Sequence, residues 1–144
     1  MRHVVALLLV VVGFGGYIAA QGLSTASASG PEASLITIDG TIDSVSEGYL
    51  SRGVDAATKR DSQFIIIVLD TPGGLLSSTR DMVEKILDSE LPIIAYVSPP
   101  GARAASAGTF ITAAAHVAAM APTTNIGAAS PVGAGGEDLP ETLK

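Results

Sequence analysis

The run Phe64–Leu69 (Phe-Ile-Ile-Ile-Val-Leu) is the feature that most narrows the folds open to this chain. It is continuous, apolar and rich in β-branched residues, which predicts a strand buried on both faces, as in a parallel sheet covered by helices. Leu75–Leu87 carries apolar residues at helical spacing, and a second apolar run, Ile93–Val97, follows the break at Leu91-Pro92. This order of strand, amphipathic helix and strand is typical of a parallel α/β fold.

The segment before this unit predicts another strand and helix. Leu35–Ile38 predicts the strand, and Ser44 with Glu47 has the spacing of a capping box at a helix start. The apolar residues of that helix recur at helical spacing and predict one buried face, formed by Val45, Tyr49, Leu50, Val54 and Ala57.

The segment after Val97 predicts one more helix and strand. An alanine-rich helix is expected over residues 107–115, followed by a short strand at Val117–Ala121. Residues 123–136 are rich in glycine, alanine, serine and proline and are predicted to form a loop. The chain would then contain three strand–helix units and a fourth strand, in a largely parallel sheet.

Composition excludes several classes of protein. With 47% hydrophobic and 15% charged residues, the 144-residue chain supports one domain with a buried core. The net charge of −6 and the lack of a Lys/Arg cluster argue against nucleic-acid binding. The absence of cysteine excludes disulfides and thiolate zinc sites, and with one histidine outside the N-terminal segment we expect neither metal nor other cofactor.

Residues 1–28 predict a secretory signal peptide. Arg2 and His3 precede the apolar run Val4–Ala20, and Ala26-Ser27-Ala28 fits the small-x-small pattern that signal peptidases accept. An uncleaved membrane anchor is the alternative, because the run is near the length that spans a bilayer. Either way we expect an exported chain, at the outer face of the cytoplasmic membrane or in the periplasm, with a spacer at 29–34 and the domain at 35–144.

Two small-residue turns, Asp70–Gly74 and Ser98–Gly108, follow successive predicted strands. Because the carboxyl ends of parallel strands share one edge of a sheet, we expect these turns to be neighbours. Gly73 and Gly74 can direct N–H groups into a cleft, and Ser106 would lie across it at a helix start. An acyl-transfer nucleophile and its oxyanion need this arrangement. A tight turn and a helix-capping serine are the structural alternatives.

The base available to Ser106 is limited by the positions of the histidine and lysines. His116 lies about 15 Å farther along a helix and is predicted to finish that helix or contact its last carbonyls. Lys59 belongs to the opposite sheet edge, and Lys85 lies about 16 Å along its helix from the glycine turn. Lys144 remains, either as the partner in a Ser-Lys pair or as a solvated terminal lysine.

Two further charged residues border these turns. Arg103 stays protonated, so it cannot act as a base but can hold a substrate carboxylate or carbonyl. Asp70 follows a strand directly, and we expect it to cap or brace the turn.

Three segments resemble the NfeD family of membrane-associated serine proteases, which belongs to the ClpP/crotonase-like superfamily: Asp70–Gly74, Gly101–Thr109 and His116–Val132. The resemblance extends from about Leu35 to the end of the chain. It implies a ClpP/crotonase-like α/β fold, with a largely parallel sheet and flanking helices, that is incomplete at its C-terminus.

The resemblance also implies a set of roles. Ser106 would be the nucleophile, Lys144 the base of a Ser-Lys dyad, and the N–H groups of Gly73, Gly74 and Ala107 the oxyanion hole. The implied substrates are peptides or membrane proteins, cleaved in hydrophobic segments, with stomatin- or flotillin-like proteins as partners. We also expect a homo-oligomer.

Two other functions are compatible with the sequence. A non-catalytic partner module would keep the fold but lack its base. A crotonase-like acyl-CoA enzyme would use the same paired oxyanion turns without a serine, although export disfavours it because coenzyme A is an intracellular cofactor.

Overall fold

The computed structural model describes residues 32–130. The strands are β1 (Ala33–Asp39), β2 (Phe64–Asp70), β3 (Ile93–Val97), β4 (Arg103–Ala105), β5 (Val117–Met120) and β6 (Asn125–Gly127). The helices are α1 (Ser44–Lys59), α2 (Leu76–Leu87) and α3 (Ala107–Ala114). The predicted signal segment 1–28 and the candidate base Lys144 lie outside the described residues.

A four-stranded sheet in the order β1-β2-β3-β5 organises the fold, and each neighbouring pair is parallel. The carboxyl ends are aligned, since Ile38 pairs with Leu69 and Leu69 with Val97. The predicted parallel α/β architecture of three strand–helix units and a fourth strand is therefore confirmed.

A second, two-stranded sheet pairs β4 with β6 in parallel. The sequence did not predict either strand: β4 lies within the expected turn Ser98–Gly108, and β6 within the expected loop 123–136. Each strand has only three residues. Such a length is too short to display the period-two pattern that identifies strands in a sequence.

The core lies between one face of the main sheet and the three helices. Alternate residues of β2, namely Ile65, Ile67 and Leu69, are completely buried, and Leu50, Met82 and Ile111 join them from the helices. Each such aliphatic side chain stabilises the fold by roughly 1.5–3 kcal/mol on full burial.

The opposite face of β2 is only half-buried among the described residues. Its side chains, Phe64, Ile66 and Val68, alternate with the buried ones. The prediction that this strand is buried on both faces is therefore wrong for residues 32–130. The continuous apolar run conceals an alternation in burial, because both faces carry apolar side chains while the core cluster lies on one.

The N-cap residue of α1 is Asp43, and Ser44 is the first residue of the helix itself. The Asp43 carboxylate accepts the N–H groups of Val45 and Ser46 at 3.0 and 2.9 Å, and the Ser46 hydroxyl accepts the Asp43 N–H at 2.9 Å. The predicted Ser44–Glu47 box is thus wrong by one residue. The hydrogen bond from the Ser46 amide is the main cause that lowers the pKa of Asp43.

The buried face of α1 is narrower than its apolar pattern predicts. Leu50, Val54 and Ala57 are buried, as expected. Val45 and Tyr49, however, are 73% and 44% exposed. Both precede Leu50, so the contact with the core is made by the part of the helix from Leu50 onward.

Candidate active site

The turn after β2 lies directly against the segment that leads into α3. The Thr71 N–H donates to the Arg103 carbonyl at 2.7 Å, and the Ala105 N–H donates to the Thr71 carbonyl at 3.0 Å. The Arg103 N–H in turn donates to the Asp70 carboxylate at 3.0 Å. The two predicted turns are therefore neighbours, and Asp70 braces them as expected.

The segment after β1 holds the same turn from its other side. The Gly40 N–H donates to the Asp70 carbonyl, and the Ile42 N–H to the Gly73 carbonyl, both at 2.9 Å. The Leu75 N–H returns to the Ile42 carbonyl at 2.8 Å. The Pro-Gly-Gly turn is consequently fixed between two backbone segments rather than being a free surface turn.

Gly73 and Gly74 are required by two different neighbours. At Gly73, φ is +111°, and an added Cβ would lie 2.7 Å from the Ser106 Cβ and 3.2 Å from its hydroxyl oxygen. At Gly74, an added Cβ would lie 1.9 Å from the Ile42 carbonyl oxygen. Both distances are shorter than real Cβ contacts, so a side chain at either position would force its neighbour to move. The absence of a side chain at Gly73 therefore lets the turn approach Ser106, and its absence at Gly74 lets the turn approach Ile42 in the segment after β1.

Ser106 occupies the position before α3 in a conformation that L-residues rarely adopt. Its φ is +50° and its ψ is −110°, and backbone strain of this kind costs about 1–3 kcal/mol. Its hydroxyl makes no capping hydrogen bond to the helix, and the residue is half-buried. The alternative that Ser106 is simply a helix-capping serine is therefore wrong. Its backbone is held instead by an N–H bond to the Gly127 carbonyl at 2.8 Å.

The three expected oxyanion donors differ in what they already bind. The Gly73 N–H donates to the Thr71 hydroxyl at 3.0 Å. Within residues 32–130, the N–H groups of Gly74 and Ala107 have no hydrogen-bond partner. Ala107 is the first residue of α3, where the helix dipole adds partial positive charge. The structure brings Gly73 and Ser106 into contact, and the oxyanion role of all three amides stays a prediction.

His116 lies at the opposite edge of the sheet. Its Nδ1 accepts the N–H of Ile93 at 3.1 Å. Ile93 is the first residue of β3, so about 13 Å of strand separates it from the carboxyl edge. The predicted contact with the last carbonyls of its helix is wrong, but the inference that His116 cannot serve Ser106 is confirmed.

The two lysines of the described range are also remote from Ser106. Lys59 is the last residue of α1. Lys85, near the end of α2, forms an ion pair with Asp55 of α1, with 2.6 Å between Nζ and Oδ1. That carboxylate has a lowered pKa, chiefly because of the hydrogen bond from Lys85.

The structure has a polar cleft at the carboxyl edge of the sheet and an apolar groove along α2. The cleft, of about 510 Å³, is lined by Asp39, Gly40, Asp70, Pro72, Gly101, Arg103 and Asn125. The groove, of about 440 Å³, is lined by Leu76, Thr79, Arg80, Val83, Glu84, Leu87, Asp88 and Phe110. Residues 32–130 contain no group of three His, Asp or Glu side chains suited to a metal ion.

Three residues of the site were missed by the sequence analysis: Thr71, Thr109 and Gly127. Thr71 is completely buried, and its hydroxyl holds the Gly73 amide. Thr109 and Gly127 hold the backbone around Ser106. Thr71 and Thr109 lie within the small-residue turns or next to them, and this position in the sequence could have identified them. Gly127 is distant from both turns in the sequence, so no local pattern indicates its contact with Ser106.

Comparison with solved structures defines the class of fold. The chain superposes on ClpP1 of Listeria monocytogenes with a TM-score of 0.59 at 21% identity, over 69% of this chain and 58% of that one. A model of the family described as NfeD1b, N-terminal domain, matches residues 32–142. The chain belongs to this family, and both the predicted ClpP-like fold and the NfeD resemblance are confirmed.

Protein 1510 of Pyrococcus horikoshii, a protease by name, matches the chain both in sequence and in structure. The chain is 45% identical over 95 residues to the membrane-bound protease PH1510 of Pyrococcus horikoshii. These residues cover 66% of this chain and 22% of that protein. The 1510-N membrane-bound stomatin-specific protease was solved as a lysine-to-alanine mutant in complex with a substrate peptide. It matches 80% of this chain and 55% of its own, with a TM-score of 0.75 and 38% identity.

The chain thus spans less than a quarter of the length of the curated relatives that it matches. The Pyrococcus horikoshii relative is named membrane-bound. Across residues 32–130, none of the helices has the length and apolar character needed to cross a bilayer.

Proposed function

We propose that this chain is the nucleophile-bearing part of an exported, membrane-associated serine endopeptidase. The observation that carries the proposal is Ser106, whose hydroxyl leaves the helix start uncapped while its strained backbone lies against Gly73. Backbone strain is concentrated at functional positions of proteins. The protease name of the Pyrococcus horikoshii relative supports the same activity.

The proposed reaction is acyl transfer through a Ser-Lys dyad. The neutral amine of Lys144 takes the proton of the Ser106 hydroxyl as its oxygen attacks the scissile carbonyl, and later gives a proton to the leaving amine. Water then hydrolyses the acyl-enzyme ester by the same base. For Lys144 to be neutral near pH 7, burial or a nearby cation must lower its pKa.

The developing oxyanion would be bound by backbone amides. Gly74 and Ala107 support this role best, because their N–H groups have no partner within residues 32–130. Gly73 would contribute only after its N–H leaves the Thr71 hydroxyl. One such donor is worth roughly 10²–10³ in rate.

The proposed substrate is a hydrophobic segment of a stomatin- or flotillin-like membrane protein, cleaved by a homo-oligomer. The name of the 1510-N protease, which is stomatin-specific, supports the substrate class. The apolar groove supports it too, because Leu76 and Phe110, which line it, lie in the first turns of the helices that follow Gly74 and Ser106.

The test is cleavage of an apolar peptide by the full-length protein, compared between wild type, Ser106→Ala and Ser77→Ala. Ser77 is an exposed serine of α2 and serves as the matched control. We expect Ser106→Ala to lose at least about a thousandfold in kcat/KM and Ser77→Ala to stay at the wild-type value. Equal cleavage by the wild type and Ser106→Ala would overturn the proposal.

The base is tested separately with Lys144→Ala. We expect a loss as large as that of Ser106→Ala, because the members of a dyad act as a unit. If Lys144→Ala cleaves normally while Ser106→Ala does not, Ser106 remains the nucleophile and Lys144 is excluded as its base.

A further inference from the structure

Thr109 uses its hydroxyl differently from the other helical threonines. Thr58, Thr79 and Thr112 each donate to the carbonyl four residues earlier in their own helix or at its start. That back-bond is the usual choice of a helical threonine. Thr109 instead reaches out of α3, with its hydroxyl 3.1 Å from the Ala104 carbonyl and 2.8 Å from the Gly127 carbonyl. It therefore connects α3 to β4 and β6.

The Gly127 carbonyl receives two donors, and both come from the Ser106 segment. One is the Thr109 hydroxyl at 2.8 Å, and the other is the Ser106 N–H, also at 2.8 Å. The Thr109 N–H closes the arrangement by donating to the Ser106 carbonyl at 2.9 Å. Thr109 and Gly127 thus hold Ser106 from both sides of its peptide unit.

The strained conformation of Ser106 requires such a restraint. A serine at φ +50° relaxes unless its surroundings over-determine it. Its own hydroxyl provides no restraint, because it makes no capping bond. Gly73 excludes one direction of movement by contact, and the Gly127 carbonyl fixes the amide.

We propose that Thr109 is a positioning residue, whose hydroxyl fixes the Gly127 carbonyl and through it the backbone of Ser106. Thr109 itself does not touch substrate in this role. Its effect on rate rests on the proposed function, whereas its effect on the Ser106 amide does not.

The test compares Thr109→Val, which removes the hydroxyl and keeps the shape, with Thr109→Ser, which restores it. Thr112→Val is the matched control, because Thr112 is buried in the same helix and its hydroxyl stays within that helix. We expect Thr109→Val to lower kcat of peptide cleavage by roughly 10–100-fold with KM little changed, since small misplacements of reacting groups cost up to about 10²-fold. Thr109→Ser should recover most of the loss, and Thr112→Val should keep the wild-type kcat.

A second readout does not depend on activity. Amide hydrogen exchange at Ser106, followed by NMR, should be at least about tenfold faster in Thr109→Val than in the wild type and Thr112→Val, because the amide loses a fixed acceptor. Unchanged exchange at Ser106 overturns the proposal, as does an unchanged kcat in Thr109→Val while Ser106→Ala is inactive.

Failure of the proposed function gives a different result. If Ser106→Ala cleaves as fast as wild type, the protease assignment is wrong, and hydrogen exchange alone decides the role of Thr109. Should Thr109→Val fail to fold, Thr109→Ala removes the same hydroxyl without a second buried methyl group and replaces it in both measurements.

Discussion

The N-termini of α1 and α3 each begin with a polar residue, but the two residues act in opposite ways. At α1, Asp43 has extended backbone and accepts two amide protons of the first turn. At α3, Ser106 stands at the same position with φ +50° and accepts none. A capped start satisfies its amides and stabilises the fold. An uncapped, strained start leaves amides and a hydroxyl available for a reacting group, at a cost in stability.

The largest expected effect comes from relaxing the strained start with Ser106→Gly. Glycine adopts φ +50° without strain, so we expect the free energy of unfolding to rise by about 1 kcal/mol. Cleavage should fall by at least about a thousandfold, because the nucleophile is gone. Chemical denaturation and peptide cleavage measure the two effects.

Ser106→Ala is the control for that substitution. It removes the hydroxyl and keeps the strain, so its stability should match that of the wild type. If Ser106→Gly is no more stable than Ser106→Ala, the backbone at this position is not strained in solution.

An intermediate effect is expected for Gly73→Ala. The new Cβ would overlap the Ser106 Cβ, so the serine must move and we expect a loss of about 10²-fold in kcat/KM. Gly101→Ala is the matched control: Gly101 also has positive φ, at +88°, but an added Cβ meets nothing within 4 Å. It should lose only about 1–2 kcal/mol of stability. Similar activities for the two variants would contradict the contact with Ser106.

The smallest effect concerns the capped start and its pH dependence. Because hydrogen bonds lower the pKa of Asp43 in the fold, its contribution is present above the unfolded pKa and is lost as pH falls through the folded pKa. We expect Asp43→Asn, which keeps an acceptor at the cap, to match the wild type at pH 7. On acidification it should lose less stability than the wild type, as measured by thermal melts between pH 7 and pH 3.

Peptide cleavage near neutral pH should be the same for Asp43→Asn and the wild type. If the Asp43→Asn variant keeps the full acid sensitivity of the wild type, this carboxylate does not contribute to it.

Much of the fold followed from sequence because its signals are local or topological. The runs at Phe64–Leu69 and Ile93–Val97 predicted two central strands, and parallel pairing then predicted that Asp70–Gly74 and Ser106 are neighbours. The contact between Gly73 and Ser106 bears out this step. The chemical roles of the site rest on the resemblance and remain predictions.

The features that the sequence did not predict depend on hydrogen bonds between distant segments or on a choice between two residues of similar propensity. The bond between Ser106 and Gly127 spans 21 positions, and the strands that surround it have three residues each. Asp43 and Ser44 are both good capping residues. Asp43 is the cap because Ser46, rather than Glu47, completes the capping box by accepting the Asp43 N–H. The one-sided burial of β2 is set by which face the helices cover.

The two glycines of the Pro-Gly-Gly turn differ in which substitutions the fold can accept. Gly74 is confined by a backbone oxygen, which no rotamer or neighbouring substitution can move aside, so replacements there are incompatible with the folded chain. At Gly73, an added Cβ would lie 2.7 Å from the Ser106 Cβ and 3.2 Å from the Ala105 carbonyl oxygen. Because φ is also +111°, a replacement there strains the backbone and displaces the serine. Substitution of Gly74 is therefore expected to prevent folding, whereas substitution of Gly73 is expected to lower stability and also to shift Ser106.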